Sequence, residues 1–200
     1  MQSELYRKLS LVIMAIAGVA FVYITVNAAI ISNKRQIGTD GGIYTNCVST
    51  SPYLQEKAKE LIRGCQSELC EVQRILDYVT AIPYQVNNFR AHKPKETIAN
   101  NYGDCDDKSN LLISLLHALG KEAYFVLVPE HIFVVTPLDG QALVDKKGLW
   151  IAQKKYYILE STAEGSEVGF PLKYPLDEIG AIVEPFSNEK LSLVELRYAR

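Results

Sequence analysis

The chain has 200 residues, of which 48% are hydrophobic, so it is long and apolar enough to bury one sizeable core. Its formal net charge of −2 and its pI of about 6.0 exclude a strongly basic protein. No cluster of lysine and arginine alternates with aromatic residues, as a nucleic-acid surface would require, so we expect no nucleic-acid partner. The composition favours one globular domain, with an apolar run near the start as a separate segment.

Residues 9–31 form an uncharged run with basic residues on both sides, Arg7 and Lys8 before it and Lys34 and Arg35 after it. At about 1.5 Å per helical residue, this run crosses a hydrocarbon layer of about 30 Å. A buried core helix is rarely apolar on every side over such a length. A cleaved signal peptide stays an alternative, because residues 26–28 resemble a cleavage site. We expect a single-pass membrane anchor over residues 1–35, and both interpretations imply export.

Two basic residues flank each end of the run, so the flanking charges do not decide its orientation. The cysteines indicate on which side of the membrane the C-terminal domain lies. Cys65 and Cys70 bracket a short polar stretch between two helical patterns, and a disulfide between them would suit an oxidising compartment. Two reduced, partly buried thiols are the alternative, and Cys47 is left over in either case. We therefore expect the C-terminal domain to lie outside the cytoplasm.

The rest of the chain divides into a linker, a helical part and a part made of short strands. Residues 36–52 are rich in Gly, Ser, Thr and Asn, which is typical of a linker. Apolar spacing predicts helices over 53–62, from after Ser67 to before Pro83, and over about 106–119, with a polar loop before the third. Strands are predicted at 122–128, 131–136, 141–145, 148–152, 155–162, 180–185 and 191–199, and the turns between them favour antiparallel hairpins. Helices first and strands later indicate an α+β domain over residues 53–200.

One cysteine stands at the start of the long apolar helix, in the stretch "NNYGDCDDKSNLLISLLHALG" of residues 100–120. Asp104 is a natural N-cap, which places Cys105 in the first turn, where backbone N–H groups lower a thiol pKa and supply oxyanion donors. The carboxylates of Asp104, Asp106 and Asp107 oppose ionisation of the same thiol. A nucleophilic Cys105 therefore requires a base.

The nearest suitable base is His131, at the start of a strand that follows the helix by one short strand. A third group should orient the imidazole and stabilise its charged form. Glu160, at the end of "YYILE", is the best such residue. The chain then carries a nucleophile at a helix start, with its base and its acid on two strands, in the order Cys105, His131, Glu160.

These residues also carry a resemblance. The segments "GDCDDKSNLLISLLHALGKEAYFVLV", "EHIFVV" and "YYILESTA" resemble the transglutaminase-like superfamily, and "RILDYVTAIPY" is similar to the helix and Pro-Tyr turn before the family's cysteine. The resemblance implies a papain-like α+β core, in which a central helix carrying the cysteine packs on an antiparallel sheet. It also implies that Cys105, His131 and Glu160 serve as nucleophile, base and orienting acid.

Two features depart from the family pattern. The family usually has Asp as the acid, whereas Glu160 is one methylene longer, and the stretch from His131 to Glu160 contains an extra hairpin. The backbone N–H of Cys105 is the first oxyanion donor that we expect, and the side chain of Gln85 or Tyr84 is a candidate for the second.

A metal site is not expected among Asp104, Cys105, Asp106 and Asp107, because neighbouring residues diverge on a helix, and no cofactor is predicted. The leading hypothesis is a membrane-anchored thiol hydrolase that acts on peptide or protein side-chain amides through an acyl-enzyme. An acyl transferase that crosslinks its substrate is an alternative. A non-catalytic transglutaminase-like module that binds a protein partner in the same cleft is another.

Overall fold

The computed structural model describes residues 2–39, 42–86, 90–193 and 195–200. The chain divides into two compact units, Met1–Gln36 and Ile37–Arg200. The first unit is the helix α1 (Gln2–Arg35), which includes the apolar stretch Tyr6–Ala28. That stretch is long and apolar enough to cross a membrane. The apolar run of the sequence is therefore one continuous helix.

The second unit begins earlier than the sequence predicts. Strands β1 (Gln36–Thr39) and β2 (Gly42–Thr45) pair with each other within the predicted linker. Ile37 and Tyr44 are buried in the hydrophobic core of the unit, and the Tyr44 hydroxyl donates to the Val128 carbonyl at 3.2 Å. The structure thus differs from a linker over residues 36–52, because Ile37 and Tyr44 attach this segment to the core and Val48 packs against the same core.

Four helices precede the main sheet: α2 (Pro52–Leu61), α3 (Glu68–Thr80), α4 (Pro94–Asn100) and α5 (Cys105–Ala118). Ser51 and Ser67 cap α2 and α3 with their hydroxyls, and a disulfide between Cys65 and Cys70 closes the connection between these two helices. Helix α4 lies where the sequence predicts a loop, so that prediction is wrong. Its start is marked by a proline at the first turn, a position that suits the missing N–H.

Helix α5 is the central helix, and residues 107–116 are all buried although half of them are polar. It packs on α2, α3, α4 and one strand of the sheet. Lys108 donates from Nζ to the carbonyls of Thr80 and Ile82, at 3.3 and 2.7 Å, and so closes the end of α3. The polar residues of the helix thus connect it to the segments around it.

A polar stripe on α5, formed by Asp106, Asn110 and Ser114, binds residues 45–49, which we call the strap. The backbone N–H groups of alternate strap residues reach the stripe: Thr45 to Asp106 Oδ2 (3.4 Å), Cys47 to Asn110 Oδ1 (2.7 Å) and Ser49 to Ser114 Oγ (3.1 Å). Four helical residues rise about 6 Å, and two extended residues span about 6.6 Å. The two repeats match, so each strap donor meets the next side chain of the stripe.

The main sheet has six strands in the order β7-β3-β4-β6-β5-β8, and neighbouring strands in it are antiparallel. The strands are β3 (Tyr124–Val128), β4 (His131–Thr136), β5 (Gly148–Ile151), β6 (Lys154–Leu159), β7 (Ala181–Val183) and β8 (Arg197–Ala199). The predicted strand at 141–145 is wrong, because a short 3-10 helix (Gln141–Leu143) occupies it. The α+β class and the central helix on an antiparallel sheet are confirmed.

The sheet opens at one end, where its two central strands separate. Strand β6 pairs with β4 from Val134 to Thr136, and Leu159, the last residue of β6, lies opposite Val134. The first three residues of β4, His131–Phe133, pair with β3 but lie beyond the part of β4 that pairs with β6. This opening lies next to the start of α5.

Candidate active site

The chain turns sharply before the predicted nucleophile. Gly103 donates to the Pro83 carbonyl at 3.2 Å and accepts from the Gln85 N–H at 3.1 Å. A Cβ atom on Gly103 would lie 2.8 Å from the Cβ of Asp107, so only glycine fits against the first turn of α5. Asp104 has extended dihedral angles and accepts the Asp107 N–H at 3.3 Å, which makes it the N-cap. Cys105 is thereby fixed as the first residue of the helix.

The Cys105 thiol lies at the open end of the sheet. Burial raises its pKa to about 12, and the charges of Asp106 and Asp104 act in the same direction. Backbone hydrogen bonds from Ile132 and Asp106 oppose the shift. The contact with Ile132 brings the thiol to the beginning of β4, beside His131 in the chain. At neutral pH the isolated thiol is protonated, so helix position alone does not activate it.

His131 and Glu160 form a direct pair at the same end of the sheet. The imidazole Nε2 lies 2.9 Å from Glu160 Oε2, and both side chains are largely shielded from solvent. The other carboxylate oxygen, Oε1, accepts from the Thr162 N–H at 3.0 Å and from its hydroxyl at 2.6 Å. Burial would raise the pKa of Glu160, but the contacts with His131 and Thr162 outweigh it and hold that pKa below the usual value. Glu160 is therefore a carboxylate at neutral pH, and Nδ1 of His131 is the nitrogen left to meet a thiol.

A short turn sets the position of His131. Val128 pairs with His131 across a two-residue connection, and the second of these residues, Glu130, has a φ of 58°. This left-handed conformation is uncommon outside glycine, asparagine and aspartate. The turn leaves the imidazole at the first position of β4, where it projects from the end of the strand.

Tyr174 covers the imidazole from a segment far along the chain. Its ring stacks on the His131 ring with centroids 6.0 Å apart and planes 20° apart, and it stacks in the same way on Phe133 at 6.4 Å. The stack restricts the plane of the imidazole beside its contact with Glu160. Sequence reasoning missed Tyr174, because no local pattern links it to a residue 43 positions earlier.

Carboxyl groups crowd the same helix start. One ligand atom from each of Asp104, Asp106 and Asp107 falls within 4.8 Å of the others. The argument that neighbouring residues diverge is wrong for this group, because Asp104 precedes the helix and folds back over its first turn. Burial raises the pKa of Asp106 to about 8, and a hydrogen bond with Asp104 adds to the shift. Asp106 therefore ionises less readily than an ordinary aspartate, which weakens the negative charge beside Cys105.

The two predicted oxyanion residues lie on the turn beside Gly103. Tyr84 forms a parallel bridge with Gly103, and burial together with the Cys105 charge raises the pKa of its phenol. The Gln85 backbone pairs with Gly103, which holds that residue at the same turn. The structure thus brings Tyr84 into the electrostatic surroundings of Cys105, and the oxyanion role of either side chain stays a prediction.

Two further residues near the nucleophile were not singled out for function by the sequence. The pKa of the Tyr44 phenol is raised by burial and by the charges of Cys105 and Asp106, so the strand β2 delivers an aromatic ring to the vicinity of the thiol. The buried His92 contacts Asp107 on the first turn of α5, with Nδ1 and Oδ2 3.2 Å apart. No sequence pattern near either residue marks it as part of the site, because both come from segments that only the fold brings to α5.

Comparison with solved structures gives several proteins with distant similarity to this chain. A protein from Cytophaga hutchinsonii, assigned as a cysteine protease, is 18% identical with a TM-score of 0.46, and the match covers 78% of this chain and 52% of that one. A protein from Parabacteroides distasonis, assigned as a protease, is 15% identical with a TM-score of 0.45 over 70% and 27% of the two chains. LapG from Legionella pneumophila is 12% identical with a TM-score of 0.39 over 60% and 77%. The chain thus spans about half the length of the first and about a quarter of the second.

No curated protein matches the chain. A sequence model of a protein family does match, over residues 55–157, which run from α2 to the fourth strand of the main sheet in chain order. The matched region includes the predicted nucleophile and base and ends just before the predicted acid. The family is described as the transglutaminase-like superfamily, and this chain belongs to it.

Proposed function

We propose that the chain is a membrane-anchored cysteine peptidase or amidase, in which Cys105, His131 and Glu160 form the catalytic triad. The observation that carries the proposal is the 2.9 Å contact between His131 and Glu160, at the strand end that also contacts the Cys105 thiol. A buried carboxylate bound to one imidazole nitrogen orients the other nitrogen as a base. Membership of a superfamily with enzymes of this kind supports the same conclusion.

The raised thiol pKa favours a mechanism in which the proton moves during the attack. Nδ1 of His131 takes the thiol proton as the Cys105 sulfur attacks the amide carbonyl, and Glu160 stabilises the imidazolium. The C–N bond then breaks, and the amine leaves with that proton, which gives a thioester on Cys105. Water next attacks the thioester, His131 takes a proton from the water, and the C–S bond breaks to release the acid. The proton returns from His131 to the thiol.

The developing oxyanion needs donors near Cys105. We place the backbone N–H of Cys105 first in this role and the Tyr84 phenol second, because the Cys105 charge acts on that phenol. Gln85 is the alternative second donor, at the same turn.

The substrate class is a peptide or a protein side-chain amide, at or near the membrane surface. Helix α1 has the length of a membrane span, and the disulfide between Cys65 and Cys70 suits an oxidising compartment, which supports an extracytoplasmic domain. Water is the expected acyl acceptor, so we expect hydrolysis to exceed transfer.

A second candidate, a module that binds a partner without catalysis, is favoured by one observation. The pKa of Cys105 is raised to about 12. A module that only binds a partner tolerates a protonated thiol, whereas an active enzyme must remove the thiol proton during the reaction. The two functions differ in whether the thiol reacts.

A proteome-derived peptide mixture tests this directly. It is incubated with the protein and with Cys105→Ala, and mass spectrometry reads new peptide termini, glutamine converted to glutamate, and amide exchange with added methylamine. Products that depend on Cys105 and are mainly free acids support the hydrolase. Mainly methylamides would indicate a transferase, and identical spectra for both proteins would favour the binding module.

A further inference from the structure

A cavity of about 280 Å³ opens beside the imidazole. His131 and Glu160 line it, but Cys105 does not. Its far wall is the segment 170–174, which Tyr174 joins to the imidazole by the ring stack. The cavity therefore lies against the proposed base, and the proposed nucleophile is not part of its lining.

The chemistry decides which half of a substrate enters such a cavity. In the proposed mechanism His131 gives its proton to the leaving amine, so the amine nitrogen must come within hydrogen-bond reach of the imidazole. The substituents of that nitrogen then lie against the face of His131, whereas the acyl half stays on the Cys105 side. A cavity that is lined by the base and not by the nucleophile is placed to receive the amine half.

The lining indicates what the amine half carries. Polar groups and apolar groups share the wall about equally, and its rings and aliphatic groups come from Phe133, Ile158, Ala163, Phe170, Leu172 and Tyr174. The carboxylate oxygens of Glu160 already have partners within the cavity, His131 on one and the hydrogen bonds from Thr162 on the other. The exposed Lys173 holds its ammonium 4.8 Å from the centroid of the Phe170 ring, so it belongs to the rim. An apolar side chain is favoured inside, because it removes apolar surface from water without leaving a polar group unpaired.

We infer that this cavity is the specificity pocket for the residue on the amine side of the scissile bond, and that it takes an apolar side chain such as leucine or phenylalanine. The inference rests on the proposed function, because it uses His131 as the proton donor to the leaving amine. It adds a substrate preference that neither the family nor the triad determines.

The reverse of the amine-release step gives a test that needs no natural substrate. Cys105 gives its proton to His131 and attacks p-nitrophenyl acetate, so that a C–S bond forms, the ester C–O bond breaks and p-nitrophenolate leaves. His131 then releases the proton to water. An added amine then attacks the thioester, the C–S bond breaks, a C–N bond forms, and His131 accepts a proton from the amine. Because this step retraces amine release, the acceptor occupies the same pocket.

The experiment uses the full chain in detergent and offers glycinamide, alaninamide, leucinamide and phenylalaninamide at equal concentration. The measured quantity is the ratio of acetylated amide to free acetate, which does not depend on how fast the acyl-enzyme forms. We expect leucinamide and phenylalaninamide to exceed glycinamide by about tenfold, as the burial of one large apolar side chain allows. Cys105→Ala provides the background of uncatalysed reaction.

Ala163→Phe fills the cavity from a position outside the triad, and the turn hydrogen bond from the Ser166 N–H to its carbonyl needs no side chain. We expect this variant to reduce the leucinamide preference to about that of glycinamide. Ala142→Phe, at an exposed position outside the cavity lining, is the matched control and should keep the preference.

The outcomes separate the two claims. Acetylation of Cys105 without any preference for apolar amides overturns the pocket and leaves the hydrolase standing. A preference that survives in a folded Ala163→Phe protein also overturns the pocket. If no burst of p-nitrophenolate depends on Cys105, the proposed function fails and the pocket assignment fails with it.

Discussion

Asp107 binds His92 through both of its carboxylate oxygens. The His92 backbone N–H donates to Oδ1 at 2.5 Å, and the imidazole Nδ1 lies 3.2 Å from Oδ2. The second contact is not aligned as a hydrogen bond, so it acts as an ion pair only when the imidazole carries a proton. Asp107 is fully buried, and burial raises its pKa. The carboxylate thereby ties residues 90–93 to the first turn of α5.

Asp107→Ala should therefore lower the free energy of unfolding by about 2–4 kcal/mol, because it leaves a buried N–H without an acceptor. Asp107→Asn should cost less, since an amide oxygen still accepts that N–H. Urea unfolding followed by circular dichroism gives both values. Asp139→Ala, at an exposed carboxylate, is the control, and equal losses at the two positions would show that the contact contributes nothing.

Glu160→Gln should reduce Cys105-dependent turnover by about 100-fold. A glutamine amide can donate to Nε2 of His131, which would move the ring proton to Nδ1 and remove the base that faces the thiol. Glu164→Gln changes an exposed carboxylate four residues away and should leave turnover nearly unchanged. If the two variants lose the same activity in the p-nitrophenyl acetate assay, Glu160 is not the orienting acid.

The same carboxylate should affect stability in acid. The pKa of Glu160 is held below its usual value of 4.5 in the folded protein, so its contribution is present above that value and is lost as the pH falls through the lower folded pKa. Glu160→Gln should flatten the fall in unfolding free energy below about pH 4.5. Urea midpoints measured from pH 3 to 7 for both proteins provide the comparison, with Glu164→Gln again as the reference. An unchanged acid slope in Glu160→Gln would contradict the low pKa.

Asp106→Asn should change how the free energy of unfolding depends on pH at the alkaline end of the range. The pKa of Asp106 rises from 3.8 in the unfolded chain to about 8 in the folded protein, so its contribution is complete below pH 4 and is lost as the pH rises towards and through 8. The asparagine cannot ionise, so the variant should keep its stability at pH 9 and should react faster with iodoacetamide at Cys105.

Asp177→Asn removes a charge from an exposed position and should alter neither property. The free energy of unfolding and the rate of reaction with iodoacetamide are measured for each protein at pH 6 and pH 9. A wild-type protein that is equally stable at both values, with no gain in the Asp106→Asn variant, would contradict the raised pKa of Asp106.

We expect that helix α1 can be removed without unfolding the second unit, by starting the chain at Gln36. The second compact unit begins at Ile37, which is buried in its core, so a chain that starts at Gln36 should be soluble and folded. The full chain should sediment with membranes and resist extraction by carbonate. A shortened chain that aggregates would show that α1 covers part of the core. Digestion of the domain by protease added outside intact cells would support the extracytoplasmic side.

Sequence patterns predicted the parts of this fold that are locally encoded. The helix that begins at Cys105 carries its own N-cap in Asp104, and β4 and β6 carry continuous apolar runs, so His131 and Glu160 could be assigned to strand ends. Helix α4 was missed because it is short and polar, although its proline and the glutamate two positions later marked its start.

Contacts between distant segments were outside the reach of local patterns. Tyr174 meets His131 and the strap meets α5 only after the sheet and helices have packed, and no periodicity in either segment announces this. The polar residues Asn110 and Ser114 are buried on α5, because the strap supplies partners for them. Tertiary contacts here override the ordinary meaning of a polar residue on a helix.

The match between strap and stripe also limits the evolution of this segment. A deletion or insertion of one residue within 45–49 would turn every following N–H group to the opposite side of the extended chain. Asn110 Oδ1 and Ser114 Oγ would then lose the N–H groups that they accept from the strap, at a cost of about 1–3 kcal/mol for each acceptor left unpaired. Side chains in this stretch are free to vary where they do not bond, but its length is not. A segment that has the composition of a spacer is thus fixed in residue count, unlike the surface loops that commonly absorb gaps between related chains.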